Sequence, residues 1–227
     1  MAKENTMMQA VNILWDTTTT YWRRLVLWGL GFSVFAQVFM LIALMVRFQD
    51  LPNYTQFYDW GSNVAWIIQS TPSWSDIPPI IAEEWLIEIG FMNYDYGHGI
   101  SEWSLNVIPS RMLVLFGLGA LVGLCVILSR SGSCSSVEKR GVTVVTGFGA
   151  LLVAMTNATM SWVVCCAAPS WVVGLAMLGL GVSTSLAIQD FGTLIAGSGF
   201  AVLGSLAFYL ALSKSRLERP NGVLSHA

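Results

Sequence analysis

Residues 25–46 read LVLWGLGFSVFAQVFMLIALMV, twenty-two residues without a charge and with one amide, Gln37. A hydrocarbon core of ~30 Å needs about 20 helical residues, so this run spans a bilayer as a helix. Tyr21, Trp22, Arg23 and Arg24 stand just before it. An aromatic and basic collar of this kind marks the cytoplasmic end of a span. The run is too long for the apolar region of a signal peptide, and no small-residue cleavage site follows, so it reads as an anchor that stays in the protein.

The whole composition agrees with that stretch. Of 227 residues, 55% are hydrophobic and 11% charged. A soluble domain carries about 25% charge, and fewer than half as many charges cannot coat a water-facing surface of this size. Ten Trp are present, a residue that favours the membrane–water interface. Net charge is −2, which offers no electrostatic footprint for nucleic acid.

Working outward, residues 1–24 form a cytoplasmic segment in which Met7, Met8, Val11, Leu14 and Trp15 recur at helical spacing. Asp16 or Thr17 is placed to cap a new helix start. Residues 47–111 form a long hydrophilic loop. Its stretch 48–110 holds eight Asp or Glu, five Trp, five of the seven Pro, and no Lys or Arg. Within it Ile80, Ile81, Trp85 and Ile89 line one side of a helix, which predicts an interfacial helix over Pro79–Gly90, with residues 91–104 as loop. Further apolar runs follow at 112–128, 142–164, 171–188 and 193–212, and a tail at 213–227. Pro169 disfavours helix at Ala168, so 165–190 reads as a break followed by a bent apolar segment.

The fold class expected is therefore an all-α integral membrane protein. It is a bundle of four full spans plus a broken or re-entrant segment, with five spans as the alternative, and it carries an acidic, Trp-rich outer loop. Lys3, Arg23 and Arg24 put the N-terminus in the cytoplasm, and Arg130, Lys139 and Arg140 in the 129–141 loop agree. Lys214, Arg216 and Arg219 fall inside with four spans and outside with five. A multi-pass protein of the bacterial inner membrane is the expected setting.

Chemistry is sparser. There are four Cys and two His. No Gly-x-x-x-x-Gly-Lys-Ser/Thr loop, Gly-x-Ser-x-Gly elbow or Cys-x-x-Cys pair occurs, and the chain reads as a non-enzyme. The adjacent pair Cys165-Cys166 is the sharpest feature. Neighbouring thiolates suit a soft ion such as Cu(I) or Hg(II), with Met160 and Met177 as weaker thioether candidates. Small apolar packing residues are the competing reading. His98, beside Asp95 and Glu102, reads as a surface residue, Glu83, Glu84 and Glu88 as a solvated face, and Asn157 as an interhelical hydrogen-bonding residue. Gly117, Gly119, Gly123 and the later glycines permit close helix approach, within the chain or with a partner.

Cys165-Cys166-Ala167-Ala168-Pro169, followed by Leu175-Ala176-Met177-Leu178-Gly179, resembles the Cys-Cys-x-x-Pro helical hairpin of mercuric-ion transport membrane proteins. The similarity covers roughly residues 145–216. It implies that Cys165 and Cys166 are outward-facing metal acceptors. Two departures stand against it: Cys125 and Cys134 precede the hairpin instead of following it, and residues 1–110 have no counterpart in that family. Two functions follow as expectations. One is soft-metal handling through the vicinal cysteines. The other is a non-catalytic subunit or scaffold of a larger membrane complex, with the bilayer and other subunits as partners through the 48–110 loop and the glycine-rich helix faces.

Overall fold

The computed structural model describes residues 2–95, 97–131, 146–147, 162–163 and 192–218. In chain order they form α1 (Ala2–Thr20), α2 (Trp22–Phe48), β1 (Tyr54–Phe57), α3 (Trp60–Ser70), α4 (Ile77–Ala82), β2 (Ile87–Asn93), β3 (Ile100–Val107), α5 (Pro109–Ser131), β4 (Trp162–Val163) and α6 (Gly192–Glu218). Contacts divide the chain into two compact units. One gathers Met1–Phe32, Phe116–Val153 and Leu194–Ala227; the other gathers Ser33–Leu115 and Ala154–Thr193.

Among the described residues, three helices are long and apolar enough to cross a membrane: Trp22–Phe48, Pro109–Arg130 and Gly197–Ser215. The runs expected at 25–46, 112–128 and 193–212 are thus helical, with ends one to six residues longer. Pro109 opens α5, where its fixed φ and missing N–H cost nothing. The spans expected over 142–164 and 171–188 lie outside the described residues, except that Trp162–Val163 is strand β4 and not the end of a span. The helix start expected at Asp16 or Thr17 is absent. α1 runs on to Thr20, with the Thr18 and Thr19 hydroxyls turned back to donate to the carbonyls of Leu14 and Trp15, and α2 begins only after a bend at Tyr21.

In the first unit the helices touch at glycines. A Cβ on Gly29 would sit 2.6 Å from the Phe116 ring and 2.9 Å from its carbonyl oxygen, and one on Gly119 would sit 2.7 Å from the Trp28 carbonyl oxygen. Gly117, read as an equivalent position, faces open space. Leu118 and Leu203 are buried together with Phe32, Leu121 and Phe200 around them. Cys125, Leu128, Ala207 and Leu210 form a second cluster, onto which Ile13 and Leu14 of α1 pack.

The described residues are mostly helical, as expected, but the second unit adds a small sheet to an architecture expected to be all-α. The 47–111 loop folds into α3, α4 and the strands β1, β2 and β3 of an antiparallel sheet of order β1-β2-β3-β4, whose last strand comes from Trp162–Val163. The interfacial helix expected over Pro79–Gly90 is only α4, Ile77–Ala82, and 87–93 is a strand. The physical reason is visible in the residues. Ile87, Ile89 and Phe91 alternate with Glu88 and Gly90, a period of two, and β-branched Ile favours the pleat. The spacing Ile81, Trp85, Ile89 happens to fit both periods. α4 ends at Glu83, whose N–H returns to the Ile80 carbonyl, and Leu86 N–H already donates to Val107 in β3. Part of the loop expected over 91–104 is likewise strand, with a bulge between Phe91 and Met92. One sheet face supplies Trp103 and Leu105, buried against Met40 and Leu44 of α2, with Phe91 and Phe48 alongside. Trp103 and Phe48 stack with centroids 6.3 Å apart.

Candidate functional site

The opposite face of the sheet is polar. Register sets Tyr54 beside Gly90 and Ser104, and Gln56 beside Glu88 and Asn106. Glu88 is the centre of this face: the Tyr54 hydroxyl donates to its Oε1 at 2.8 Å and the Tyr58 hydroxyl to its Oε2 at 2.5 Å. Ser101 Oγ lies 3.1 Å from the Tyr54 hydroxyl. Gly90 makes room for this, since a Cβ there would run into the Trp103 carbonyl and come within 2.8 Å of the Tyr54 hydroxyl. Burial, followed by the bond to Glu88 and its negative charge, pushes the Tyr58 phenol up to about 12. Burial also raises Tyr54, with Ser101 opposing and Glu88 adding to it.

Other carboxylates are held the same way. Asn63 donates to Glu84 and Asn93 to Glu102, each at 2.7 Å. Asp59 caps α3 and accepts from the Ser62 hydroxyl at 2.6 Å and its N–H at 3.2 Å. The Ser62 hydroxyl, then its N–H, hold the Asp59 carboxyl below its ordinary range. These acids are oriented by neutral donors. The solvated face expected of Glu83, Glu84 and Glu88 holds for Glu83, while Glu84 and Glu88 are tied into the unit.

Around this acidic frame stand large apolar side chains open to the surroundings. Trp74 is 80% exposed, Phe57 74% and Trp66 69%, with Leu51, Tyr94 and Ile100 also exposed. Among the described residues, β1 has only β2 beside it and forms an edge of the sheet. Asn53 extends that edge by imitating a strand: its Nδ2 donates to the Met92 carbonyl and its Oδ1 accepts the Met92 N–H, both at 2.8 Å.

The residues expected to bind metal, Cys165, Cys166, Met160 and Met177, lie outside the described residues, as does Asn157. Cys125 is buried, with its thiol 3.8 Å from the Leu203 carbonyl. His98 is exposed, near the tip of the β2–β3 connection, and Glu102 is occupied by Asn93. Among the described residues, no group of three or more His, Cys, Asp or Glu is placed to hold a metal ion. Sequence reasoning missed the clasp of Tyr54 and Tyr58 on Glu88; the alternating Ile-Glu-Ile-Gly at 87–90 was the signal for it.

No protein family, no curated protein and no solved structure matches this chain. Its class therefore rests on its own residues: among those described, three helices fit to cross a membrane, and a polar-faced sheet unit between two of them in sequence.

Proposed function

We propose that this chain is a non-catalytic, multi-pass subunit of a membrane assembly, and that its sheet unit is the surface on which a partner docks. The observation that carries the reading is the exposed aromatic set Phe57, Trp66 and Trp74 within a stretch that has eight acids and no Lys or Arg. Interface cores favour Trp, Tyr and Phe, and complementary charge selects the partner, here one with a basic extracytoplasmic surface. Lys3, Arg23 and Arg24 support a cytoplasmic N-terminus, which sets the sheet unit outside, in a bacterial inner membrane. The test is site-specific photo-crosslinking from position 74 in native membranes. A discrete adduct with one membrane protein, lost on charge reversal of that protein's basic patch, is the expected result. Monomer and lipid adducts alone would refute the reading.

A second reading keeps soft-metal handling by Cys165 and Cys166. It is supported by the Cys-Cys-x-x-Pro sequence, which follows β4 by one residue in the chain. Its test is the Cu(I) and Hg(II) stoichiometry of the purified protein beside a Cys165→Ser/Cys166→Ser variant. Equal, weak binding by both proteins would end it.

A further inference from the structure

From Met7 to Thr20, α1 has three sides. At about 100° per residue, Ala10, Ile13, Leu14 and Thr17 share one arc. Ala10 and Thr17 are buried there, and Ile13 and Leu14 half-buried. A second arc carries Gln9, Asn12 and Asp16, all exposed. The third carries Met7, Met8, Val11 and Trp15, from 54% exposed at Val11 to 73% at Trp15. A helix lying between a protein and water has use for the first two sides only. The third is a continuous apolar surface left open.

Contacts within the first unit give the depth of that side. Trp28 of α2 meets Gly123 of α5, and Ile13 and Leu14 of α1 pack on Cys125 and Leu128 of the same helix. The two contacts lie two to five residues apart along α5, about 3–8 Å. Had α1 continued the line of α2, Leu14 would stand fourteen residues from Trp28, about 21 Å further along. α1 therefore folds back at the Tyr21 bend and lies against the ends of α5 and α6, where Ala207 and Leu210 complete the contact. Cys125 and Leu128 are still inside the uncharged run of α5, about 3–8 Å short of Arg130. Ala207 and Leu210 are likewise about 6–11 Å short of Lys214. The middle of α1 is thus level with the apolar ends of two spans. Helices that lie in the plane of a membrane sit at that depth, with their apolar side about 5–10 Å into the boundary between headgroups and acyl chains.

We propose that α1 is such an in-plane helix, with Met7, Met8, Val11 and Trp15 immersed in the leaflet at the Arg130 end of α5. Gln9, Asn12 and Asp16 turn to the headgroups and water. Lipid is the occupant because the open side is continuous with a lipid-facing surface: directly after the bend, Trp22, Leu27 and Leu30 of α2 are exposed as well. Arg23 and Arg24 mark the headgroup level, their guanidinium groups 5.5 Å from the Trp22 ring and 5.4 Å from the Tyr21 ring. Residues 4–22 contain no Lys or Arg, so apolar burial and not attraction to anionic headgroups holds the helix in place. This placement requires α2, α5 and α6 to be spans and does not involve the partner docked on the sheet unit.

The experiment encodes a fluorescent amino acid at position 11, 12, 15 or 35 of the full chain, in vesicles of phosphatidylethanolamine and phosphatidylglycerol. The quenchers are aqueous iodide and lipids carrying a nitroxide at the headgroup, high on the acyl chain, or at its end. Positions 11 and 15 are expected to respond most to the nitroxide high on the chain and to be shielded from iodide. Position 12 is expected to respond to iodide and to the headgroup nitroxide. Position 35, exposed in the middle of α2, is expected to follow the nitroxide at the chain end, and it reports the span by itself. Val11→Asp raises iodide quenching at position 15 about twofold or more, while Asn12→Asp leaves it unchanged. Iodide that reaches positions 11 and 15 as readily as position 12 overturns the proposal. Shielding of positions 11 and 15 from iodide and from every nitroxide also overturns it, because a second copy or another protein then covers the stripe. Either result beside a deeply quenched position 35 leaves the span standing and takes α1 alone out of the leaflet.

Discussion

Trp103→Ala separates the tryptophans that hold the fold from those displayed on it. Trp103 is fully buried and its ring lies between β3 and α2, stacked on Phe48 and packed on Met40 and Leu44. A buried Trp removes about 150–250 Å² from water, which at ~25 cal/mol/Å² is about 4–6 kcal/mol as an upper bound. Truncation leaves the Cβ and a partly collapsed cavity, so the expected cost is about 3–5 kcal/mol. Trp74→Ala removes a side chain that is 80% exposed, and its expected cost is within about 0.5 kcal/mol. The assay is denaturant unfolding of the purified chain in detergent, followed by near-ultraviolet circular dichroism. Equal costs for the two variants would refute the packing of β3 on α2, as would a Trp103→Ala protein that unfolds at the wild-type midpoint.

Gly119→Leu should part the helices of the first unit, because even a Cβ there meets the Trp28 backbone, at an expected cost of about 1–3 kcal/mol or more in the same unfolding assay. Gly117→Ala, facing open space on the same helix, should be neutral or stabilising by up to about 1 kcal/mol. The raised Tyr58 phenol gives an alkaline signature. The unfolded chain releases this proton near its ordinary value of 10 and the folded chain near about 12, so the contribution of Tyr58 is full below pH 10 and is lost as pH rises through 12. Tyr58→Phe should flatten the fall in melting temperature across that window, and an unchanged slope would show that the bond to Glu88 does not matter. Gly90→Ala should damage the sheet more than its single methyl suggests, because the new carbon meets the Trp103 carbonyl, and its signature is lost near-ultraviolet signal at a temperature where wild type is folded.

How much of this was legible in the sequence depended on whether one period was present or two. α2 and α5 were readable because a long uncharged run admits a single solution in a bilayer: a helix that satisfies its own backbone. The 80–90 stretch admitted two, because Ile81, Trp85 and Ile89 satisfy a four-residue and a two-residue spacing together. What decides between them is the pairing of β2 with β1 some thirty residues earlier and with β3 later, which no local window contains. The glycine contacts were half readable for a related reason. Gly117 and Gly119 look alike in sequence, but a two-residue step turns the helix by about 200° and points only one of them at Trp28. The clasp on Glu88 was hidden because Tyr54 and Tyr58 are far from it in sequence. Gln37 and Ser33 were visible from the first as polar side chains of the opening span, but that the Gln37 amide is buried without a hydrogen-bond partner was not.

β4 reaches β3 across a long detour. The register joins Leu105 to Trp162 and Ser104 to Val163, and all of α5 lies between them in the chain. At about 5–20 residues per second, a ribosome needs on the order of 3–11 s to make that intervening segment. Through that interval the newly made β2–β3 hairpin carries an open edge where its last neighbour belongs, the exposure that invites pairing with foreign strands. The order of synthesis therefore gives this protein a vulnerable age, after its hairpin has formed and before its final strand arrives. A pause in translation between those two points would lengthen it.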